Sequence, residues 1–310
     1  MKKKTGFNFM AVAAGRESTD GSVVKRYIGV APVSILAVNP SMEELGAIYG
    51  TELDKAPVYI GEVEVGEDKH KVQNVRLDFI TKSDAEKCGI EFITKVAIFV
   101  RNEVRYNNAK TKCQVIDKYG RTSWVTAEQL KTHAIPVDKN GHLLQLDADY
   151  RPAFVGEEAL TELVKAYLNI PNPMAYVNGS WVENTKVKPS DCECRLEHIN
   201  DYFNGDFSEI KSIPTLQPNN KVKILFGVKS NDDNKQYQAA YTDMFLKNSI
   251  TDYSRLDKSL QERKANGGYP NVEFAVVDLK EYTVEATTFN GQASGLPFDA
   301  PAGTTGQTPW

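Results

Sequence analysis

Three consecutive segments decide the fold: KHKVQNVRLDFITK (residues 69–82), CGIEFITKVAIFVRNEVRY (88–106) and TKCQVIDKYGRTSWVTAEQ (111–129). In the first segment, apolar and polar residues alternate, which is the pattern of a strand with one solvated face. The second segment is almost entirely apolar from 90 to 100, and this predicts a central strand. The third segment places a turn at 117–120 between two strand-like runs, and this predicts a hairpin.

The sequence before these segments adds strands and one short helix. A run dense in Val, Ile and Tyr at 23–39 predicts a strand, and Ser41 with Glu44 three residues later predicts a capped helix that ends at Gly50. Five short strands and one helix in about a hundred residues favour an α+β, β-rich fold. We predict an OB-like barrel or a curled antiparallel sheet with packed helices, followed by a second, smaller α+β region.

The clearest helix of the sequence begins at Glu157. Its apolar stripe runs to Leu168, and Pro171 follows. We interpret the adjacent Glu157 and Glu158 as anions that stabilise the helix amino terminus rather than as a catalytic pair. The pattern also predicts helices over 191–203 and 254–266 and strands over 221–230 and 272–284.

Composition changes along the chain suggest four regions. We predict a flexible basic arm at 1–22, a β-rich barrel-like domain with a packed helix at 23–173, an α+β region at 174–285 and a disordered tail at 286–310.

Positive charge is concentrated in the three opening segments. Residues 69–121 contain twelve Lys or Arg and six Asp or Glu, a net charge of +6, whereas the whole chain carries −4. Cations that neutralise phosphates and rings that stack on unpaired bases are what single-stranded nucleic acid requires. The alternatives are a sheet edge protected by lysines and rings packed at a hairpin. Our candidate nucleic-acid-binding residues are Lys95, Arg101, Arg105, Tyr106, Lys110, Lys112, Tyr119, Arg121 and Trp124.

Cysteine and histidine offer one candidate for a metal site. Cys192, Cys194 and His198 form C-x-C-x3-H, and Cys88 or Cys113 would have to supply a fourth zinc ligand. The spacing differs from the common C-x2-C, so we favour ordinary cysteines at the start of a helix and predict neither a metal nor another cofactor.

Motifs of catalysis and of membrane insertion are absent from the sequence. It contains no G-x-S-x-G, G-x-G-x-x-G or G-x-x-x-x-G-K-[ST], so we do not predict an enzyme. The apolar run near the amino terminus is too short for a secretory signal, and no apolar stretch approaches the length of a membrane span. These observations favour a cytoplasmic location and no membrane partner.

Four segments carry a family resemblance: YIGVAPVSILAVNPSMEELGAIYG (27–50), QVIDKYGRTSW (114–124), YRPAFVGEEALTELVKAYLNIPNP (150–173) and KVKILFGVKSNDDNKQYQAAYTDMFL (221–246). The chain resembles single-stranded DNA-binding proteins of crAss-like and related tailed bacteriophages over roughly residues 23–285. The resemblance implies a protein that coats single-stranded DNA during replication or recombination in the bacterial host cytoplasm, with homo-oligomerisation as an open question.

The resemblance also implies a role for the carboxyl-terminal tail. Proteins of this kind end in a flexible acidic segment with a terminal aromatic residue that recruits phage replication proteins. Leu296, Phe298 and Trp310 are the corresponding partner-docking candidates. The tail departs from the family pattern in charge, because only Asp299 and the terminal carboxylate are acidic after Glu285.

A second function fits the same phage context. The chain could be a virion structural protein or a packaged cargo protein without catalytic activity, because an acidic protein with one basic face would suit packing beside DNA. Mass spectrometry of purified particles would distinguish the two functions.

Overall fold

The computed structural model describes residues 11–13, 25–137, 141, 143–178, 180–230, 236–277, 281–283, 287–289 and 292–294. For residues 11–13, 25, 176, 236, 281–283, 287–289 and 292–294 it describes the backbone alone.

The strands of the described residues are β1 (Ala11–Ala13), β2 (Lys25–Tyr27), β3 (Gly29–Val38), β4 (Ile60–Val65), β5 (His70–Ser83), β6 (Phe92–Val104), β7 (Cys113–Ile116), β8 (Thr122–Val125), β9 (Arg151–Pro152), β10 (Phe154–Val155), β11 (Met174–Val177), β12 (Ser180–Glu183), β13 (Val222–Ser230), β14 (Gln236–Ala240), β15 (Leu246–Lys247), β16 (Val272–Phe274), β17 (Glu281–Thr283), β18 (Thr287–Phe289) and β19 (Gln292–Ser294). The helices are α1 (Met42–Tyr49), α2 (Ala85–Cys88), α3 (Ala127–Thr132), α4 (Glu157–Tyr167), α5 (Ile199–Tyr202), α6 (Ser208–Leu216) and α7 (Ser254–Ala265), with a 3-10 turn at Pro189–Cys192.

The class is α+β and rich in strands, with a curled antiparallel sheet, as the sequence predicted. The main path of that sheet runs β1-β6-β5-β3-β13-β14. Beside it, β4 pairs with β5, β10 pairs with β6, and β15 and β16 pair with β13. Smaller sheets are formed by β8-β7-β9, β11-β12, β17-β2 and β18-β19.

The chain divides into two compact units that are each built from separated segments. Unit 1 comprises Met1–Pro57, Asp78–Ala97 and Lys221–Trp310, and unit 2 comprises Val58–Leu77 and Ile98–Asn220. Strands β5 and β6 therefore contribute residues to both units. Neither unit is a single stretch of sequence.

Unit 1 contains a buried aromatic cluster of Tyr27, Phe92 and Phe226, the last of which lies on β13. The ring centroids of Tyr27 and Phe92 lie 5.3 Å apart, and Phe92 meets Phe226 edge to face at the same distance. Strand β3 pairs with β13 from Val33 opposite Val222 to Gly29 opposite Phe226. Burying these apolar side chains is the main favourable term for such a layer.

The predicted capping of α1 is confirmed. The Glu44 amide donates to Ser41 Oγ at 3.2 Å, and the Ser41 amide donates to Glu44 Oε2 at 2.6 Å. The helix ends at Gly50, whose φ of 68° is left-handed. These contacts satisfy amides that the first helical turn leaves unpaired.

Unit 2 is organised around α4, which is the helix predicted from Glu157. Leu160, Leu163 and Val164 are fully buried in its apolar stripe. Gly156 precedes the helix with φ 92°, and a Cβ there would lie 1.9 Å from the Phe99 carbonyl oxygen. Only glycine permits this close approach of the helix start to β6.

Two predictions about secondary structure were wrong. Residues 191–203 do not form one helix: a 3-10 turn ends at Cys192, Arg195 has a left-handed φ of 63°, and α5 covers only Ile199–Tyr202. The strand predicted over 272–284 is not continuous: β16 ends at Phe274, residues 275–277 lie outside any strand, and β17 pairs with β2. Strand β6 is central, as predicted, with β1 and β5 as neighbours; its first seven residues alternate between buried and partly exposed, and Phe99 is exposed.

Candidate nucleic-acid interface

The β7–β8 hairpin carries three of the nine predicted site residues, Tyr119, Arg121 and Trp124. Gln114 lies opposite Trp124 in the antiparallel register, and Cys113 lies opposite Val125. Cys113 and Val125 belong to a buried cluster with Tyr150. Because side chains alternate along a strand, Gln114 and Trp124 occupy the other face, on which Trp124 is partly exposed.

The turn of this hairpin is held by the carboxylate of Asp117, which is fully buried. Its Oδ1 accepts hydrogen bonds from the amides of Tyr119 (3.0 Å) and Arg121 (2.9 Å). Its Oδ2 accepts from Arg121 Nε (2.7 Å) and from the Asp147 amide (2.9 Å). The Arg121 side chain, only 17% exposed, is therefore part of the turn rather than a free cation.

The Tyr119 ring contacts two cations at the end of the hairpin. Its ring centroid is 4.6 Å from the Arg121 guanidinium carbon and 5.3 Å from Lys118 Nζ. The Tyr119 carbonyl accepts a hydrogen bond from Lys165 Nζ at 2.6 Å, and burial lowers the pKa of Lys165. The turn is thereby fixed to α4, and Tyr119 is partly exposed.

Arg105 is held by a carboxylate from α4. Its Nη1 lies 2.7 Å from Glu158 Oε2, which also accepts from Gln114 Nε2 at 2.9 Å, while Glu158 Oε1 accepts from Thr122 Oγ1 at 2.8 Å. The guanidinium lies 5.7 Å from the Trp124 ring centroid. Arg105 is still 39% exposed, so it contacts both the network and solvent.

The most exposed residues of the predicted site come directly after Arg105 in the sequence. The Tyr106 side chain is 56% exposed, and the residue forms a β-bridge with Cys113. Asn107 Oδ1 accepts from the amides of Thr111 (2.9 Å) and Lys112 (3.1 Å), which fixes the intervening loop.

That fixed loop presents two lysines to solvent. Lys110 and Lys112 are exposed, and neither forms an ion pair with any residue that the structure describes. Because Tyr106 lies opposite Cys113, its side chain has the facing opposite to that of Trp124.

Strand β6 carries one predicted cation and one residue that the sequence analysis missed. Arg101 Nε lies 3.7 Å from Glu103 Oε2, and both side chains are one-third exposed. Phe99, two residues earlier on the same face of the strand, is 51% exposed. Its apolar neighbours in sequence pointed to a buried strand, so no sequence signal identified it.

Lys95 differs from the other eight residues of the set because it belongs to unit 1. Its Nζ lies 3.6 Å from Asp78 Oδ2, and the Asp78 side chain is only 5% exposed. The Lys95 side chain is itself only 19% exposed, so it is less open to a phosphate than the exposed Lys110 and Lys112.

The three residues of the C-x-C-x3-H motif, Cys192, Cys194 and His198, do not form a metal site. The described residues contain no group of three His, Cys, Asp or Glu side chains that could hold a metal ion. Cys192 Sγ donates to the Lys188 carbonyl at 3.6 Å, and burial raises the pKa of Cys194. His198 Nδ1 lies 3.1 Å from Glu209 Oε1, and this hydrogen bond raises the pKa of His198.

The adjacent glutamates of α4 both bind arginine. Glu157 is buried, and its carboxylate meets Arg151 at 2.5 and 3.1 Å and accepts the Phe154 amide at 2.9 Å. Glu158 binds Arg105, as described above. Both carboxylates are thus engaged in ion pairs within unit 2.

The partner-docking candidates Leu296, Phe298 and Trp310 lie outside the described residues. Of the helices that the structure describes, none has both the length and the apolar character needed to cross a membrane. The chain matches no known family model, no curated protein and no solved structure.

Proposed function

We propose that the chain binds single-stranded DNA through a surface of unit 2, here called the Tyr106 surface. The Tyr106 surface consists of Tyr106 and the two exposed lysines of the adjoining loop, Lys110 and Lys112. The observation that carries the proposal is the exposed Tyr106 ring beside a fixed loop that presents two unpaired lysines, among the described residues.

The chemistry of this surface suits a flexible polyanion. Lys110 and Lys112 would each neutralise a phosphate and release a counterion. The Tyr106 ring would stack on an unpaired base, a contact of about 1–3 kcal/mol per base. Duplex DNA keeps its bases stacked inside, so it would gain only the phosphate contacts. The proposal therefore includes a preference for single strands.

Several finer features belong to the same proposal. The strand-rich, curled sheet is compatible with an OB-like barrel, the architecture that many single-strand binders use. We place the protein in the bacterial host cytoplasm, coating and protecting phage DNA during replication or recombination without chemistry of its own. The tail would recruit phage replication proteins.

A gel-shift or fluorescence-anisotropy titration with labelled oligothymidine and a duplex control, each at two salt concentrations, tests the proposal. We expect K110Q/K112Q to weaken single-strand binding and to reduce the slope of log K against log[salt] by about 1.4, at 0.7 per phosphate contact. The matched control is K55Q/K87Q, which removes the same charge from two exposed lysines of unit 1.

Tyr106 provides a test that is independent of charge. Tyr106→Ala should weaken binding by about 1–3 kcal/mol while leaving the salt slope unchanged, because stacking releases no counterion. Binding that is equally tight to duplex, or that the lysine pair and its control weaken equally, would contradict the proposal. Absence of DNA binding, together with a fixed copy number in purified particles, would instead support a virion protein.

A further inference from the structure

A loop of unit 2 is closed by the backbone and the side chain of one asparagine. The loop runs from Asn107 to Lys112, between the β-bridge residue Tyr106 and the start of β7. The Asn107 amide donates to the Lys112 carbonyl at 3.0 Å, and the Lys110 amide donates to the Asn107 carbonyl at 2.9 Å. These two backbone bonds bring the ends of the loop together.

The Asn107 side chain adds three hydrogen bonds to this closure. Its Oδ1 accepts the amides of Thr111 at 2.9 Å and of Lys112 at 3.1 Å, and its Nδ2 donates to Thr111 Oγ1 at 3.1 Å. An asparagine suits this position, because its short side chain carries both an acceptor and a donor within reach of the nearby backbone. Asn108, the next residue, is exposed, and its side chain bonds to none of the described residues. Of the two adjacent asparagines, the described contacts therefore assign the closure to Asn107.

Lys110 has a conformation that it would leave without these bonds. Its φ of 53° is left-handed, a region that a lysine adopts only at a cost. The residue is exposed, so burial does not hold it there. Its own amide and the amide of Thr111 are both bonded to Asn107, so the chain on each side of the Lys110 α-carbon is fixed.

The two lysines of the loop depend on it for their positions. Lys110 and Lys112 are exposed and form no ion pair with any residue that the structure describes. A loop that became ordered only on binding would lose conformational entropy, and this loss would lower its affinity for a ligand. A loop that is ordered beforehand avoids the loss while carrying the same charge.

We propose that Asn107 is a positioning residue for the Tyr106 surface. It holds Lys110 and Lys112 in the arrangement in which they meet phosphates, so that single-stranded DNA binds a loop that is already ordered. This inference rests on the proposed DNA binding, and it adds to that function a residue that carries no charge and acts only through its neighbours.

The first test needs no DNA. Hydrogen exchange measured by NMR should be slowed at the Thr111 and Lys112 amides of the wild type, since both are hydrogen-bonded. Asn107→Ala should abolish this protection. Asn107→Asp should retain it, because a carboxylate oxygen accepts the same two amides, and the control Asn108→Ala should retain it as well. Fast exchange at both amides of the wild type, or protection that Asn107→Ala retains, would overturn the proposal.

The second test measures affinity for labelled oligothymidine in a double-mutant cycle. Asn107→Ala should weaken binding by about 5–30-fold, which corresponds to the cost of ordering the backbone of one residue. The same change in the K110Q/K112Q background should weaken binding little further, because Asn107 acts through these two lysines. An equal loss in both backgrounds would mean that Asn107 acts on another part of the protein, and the proposal would be wrong.

The outcomes distinguish this inference from the proposed function. If the wild type binds oligothymidine and K110Q/K112Q weakens that binding while Asn107→Ala does not, the role of Asn107 is refuted and the proposed function stands. If the wild type does not bind at all, the proposed function fails and this inference fails with it, whatever the exchange of the two amides.

Discussion

Replacing Asp117 by Ala should destabilise the protein by about 3 kcal/mol. The carboxylate is fully buried, and it accepts hydrogen bonds from Tyr119, Arg121 and Asp147 while pairing with the Arg121 guanidinium at 2.7 Å. Removing one partner of a buried ion pair costs about 3–5 kcal/mol, because the remaining charge loses its compensation. We expect the lower end of that range, since Arg121 at 17% exposure can recover part of its hydration.

Urea unfolding followed by circular dichroism measures this loss. A typical unfolding free energy is about 5–15 kcal/mol, so a loss of about 3 kcal/mol would be a clear shift of the midpoint at unchanged m. Asp149→Ala is the matched control, because its side chain lies on the same loop as Asp147 and is exposed. That control should change stability by less than about 0.5 kcal/mol.

A double-mutant cycle separates the ion pair from the backbone contacts. Arg121→Ala alone should also destabilise, because it leaves Asp117 buried without its cation. The double variant should lose less than the sum of the single variants, with an interaction energy of about 0.5–3 kcal/mol. Additive losses, or a loss below about 1 kcal/mol for Asp117→Ala, would refute the claim that this pair holds the hairpin turn.

Two further predictions concern the hairpin turn and the pH dependence of stability. Gly120→Ala should lower the free energy of unfolding more than Gly50→Ala does. Both residues have left-handed φ, but only at Gly120 would the new Cβ meet a neighbour, Thr161 Cγ2 at 2.3 Å. Urea midpoints measure the difference. The raised pKa of His198 means that its bond to Glu209 stabilises the fold below about pH 6.5 and that this contribution is lost as pH rises through the folded pKa. Unfolding of wild type and H198Q across that window should therefore converge at high pH, and a constant difference would contradict the assignment.

Elements with local signals were predicted well from the sequence. The Ser41 and Glu44 side chains cap α1 through bonds that span three residues, and the apolar stripe of α4 needed only its own periodicity. The β7–β8 hairpin followed from a turn between two strand-like runs. In each case the residues that determine the element lie within the element.

The predicted helix over 191–203 was wrong because distant groups determine this segment. The Cys194 amide donates to the carbonyl of Lys118 at 3.0 Å, and Glu209 accepts the amides of Glu197 and His198 at 2.7 and 3.1 Å. These bonds replace the ones a continuous helix would form. Tertiary contacts of this kind override a helical pattern that is otherwise favourable.

The partial exposure of one face of strand β6 could not be predicted from the sequence. Its second face is left partly open, so that Phe99 is exposed although its sequence neighbours are apolar. Periodicity cannot distinguish a strand covered on both faces from an apolar strand that is covered on one.

The charge of the candidate site shows why a count of residues overstates an electrostatic field. The count is +6 for residues 69–121, but Glu158, far along the chain, binds Arg105, and the carboxylate of Asp117 binds Arg121. A paired arginine attracts a phosphate only if the phosphate displaces its carboxylate or joins it, so the exposed lysines should dominate the first contacts. Salt dependence can distinguish these cases. If only Lys110 and Lys112 contact phosphates, the slope of log K against log[salt] for single strands should be about −1.4. A slope of about −3 would mean that about two paired arginines also contact phosphates.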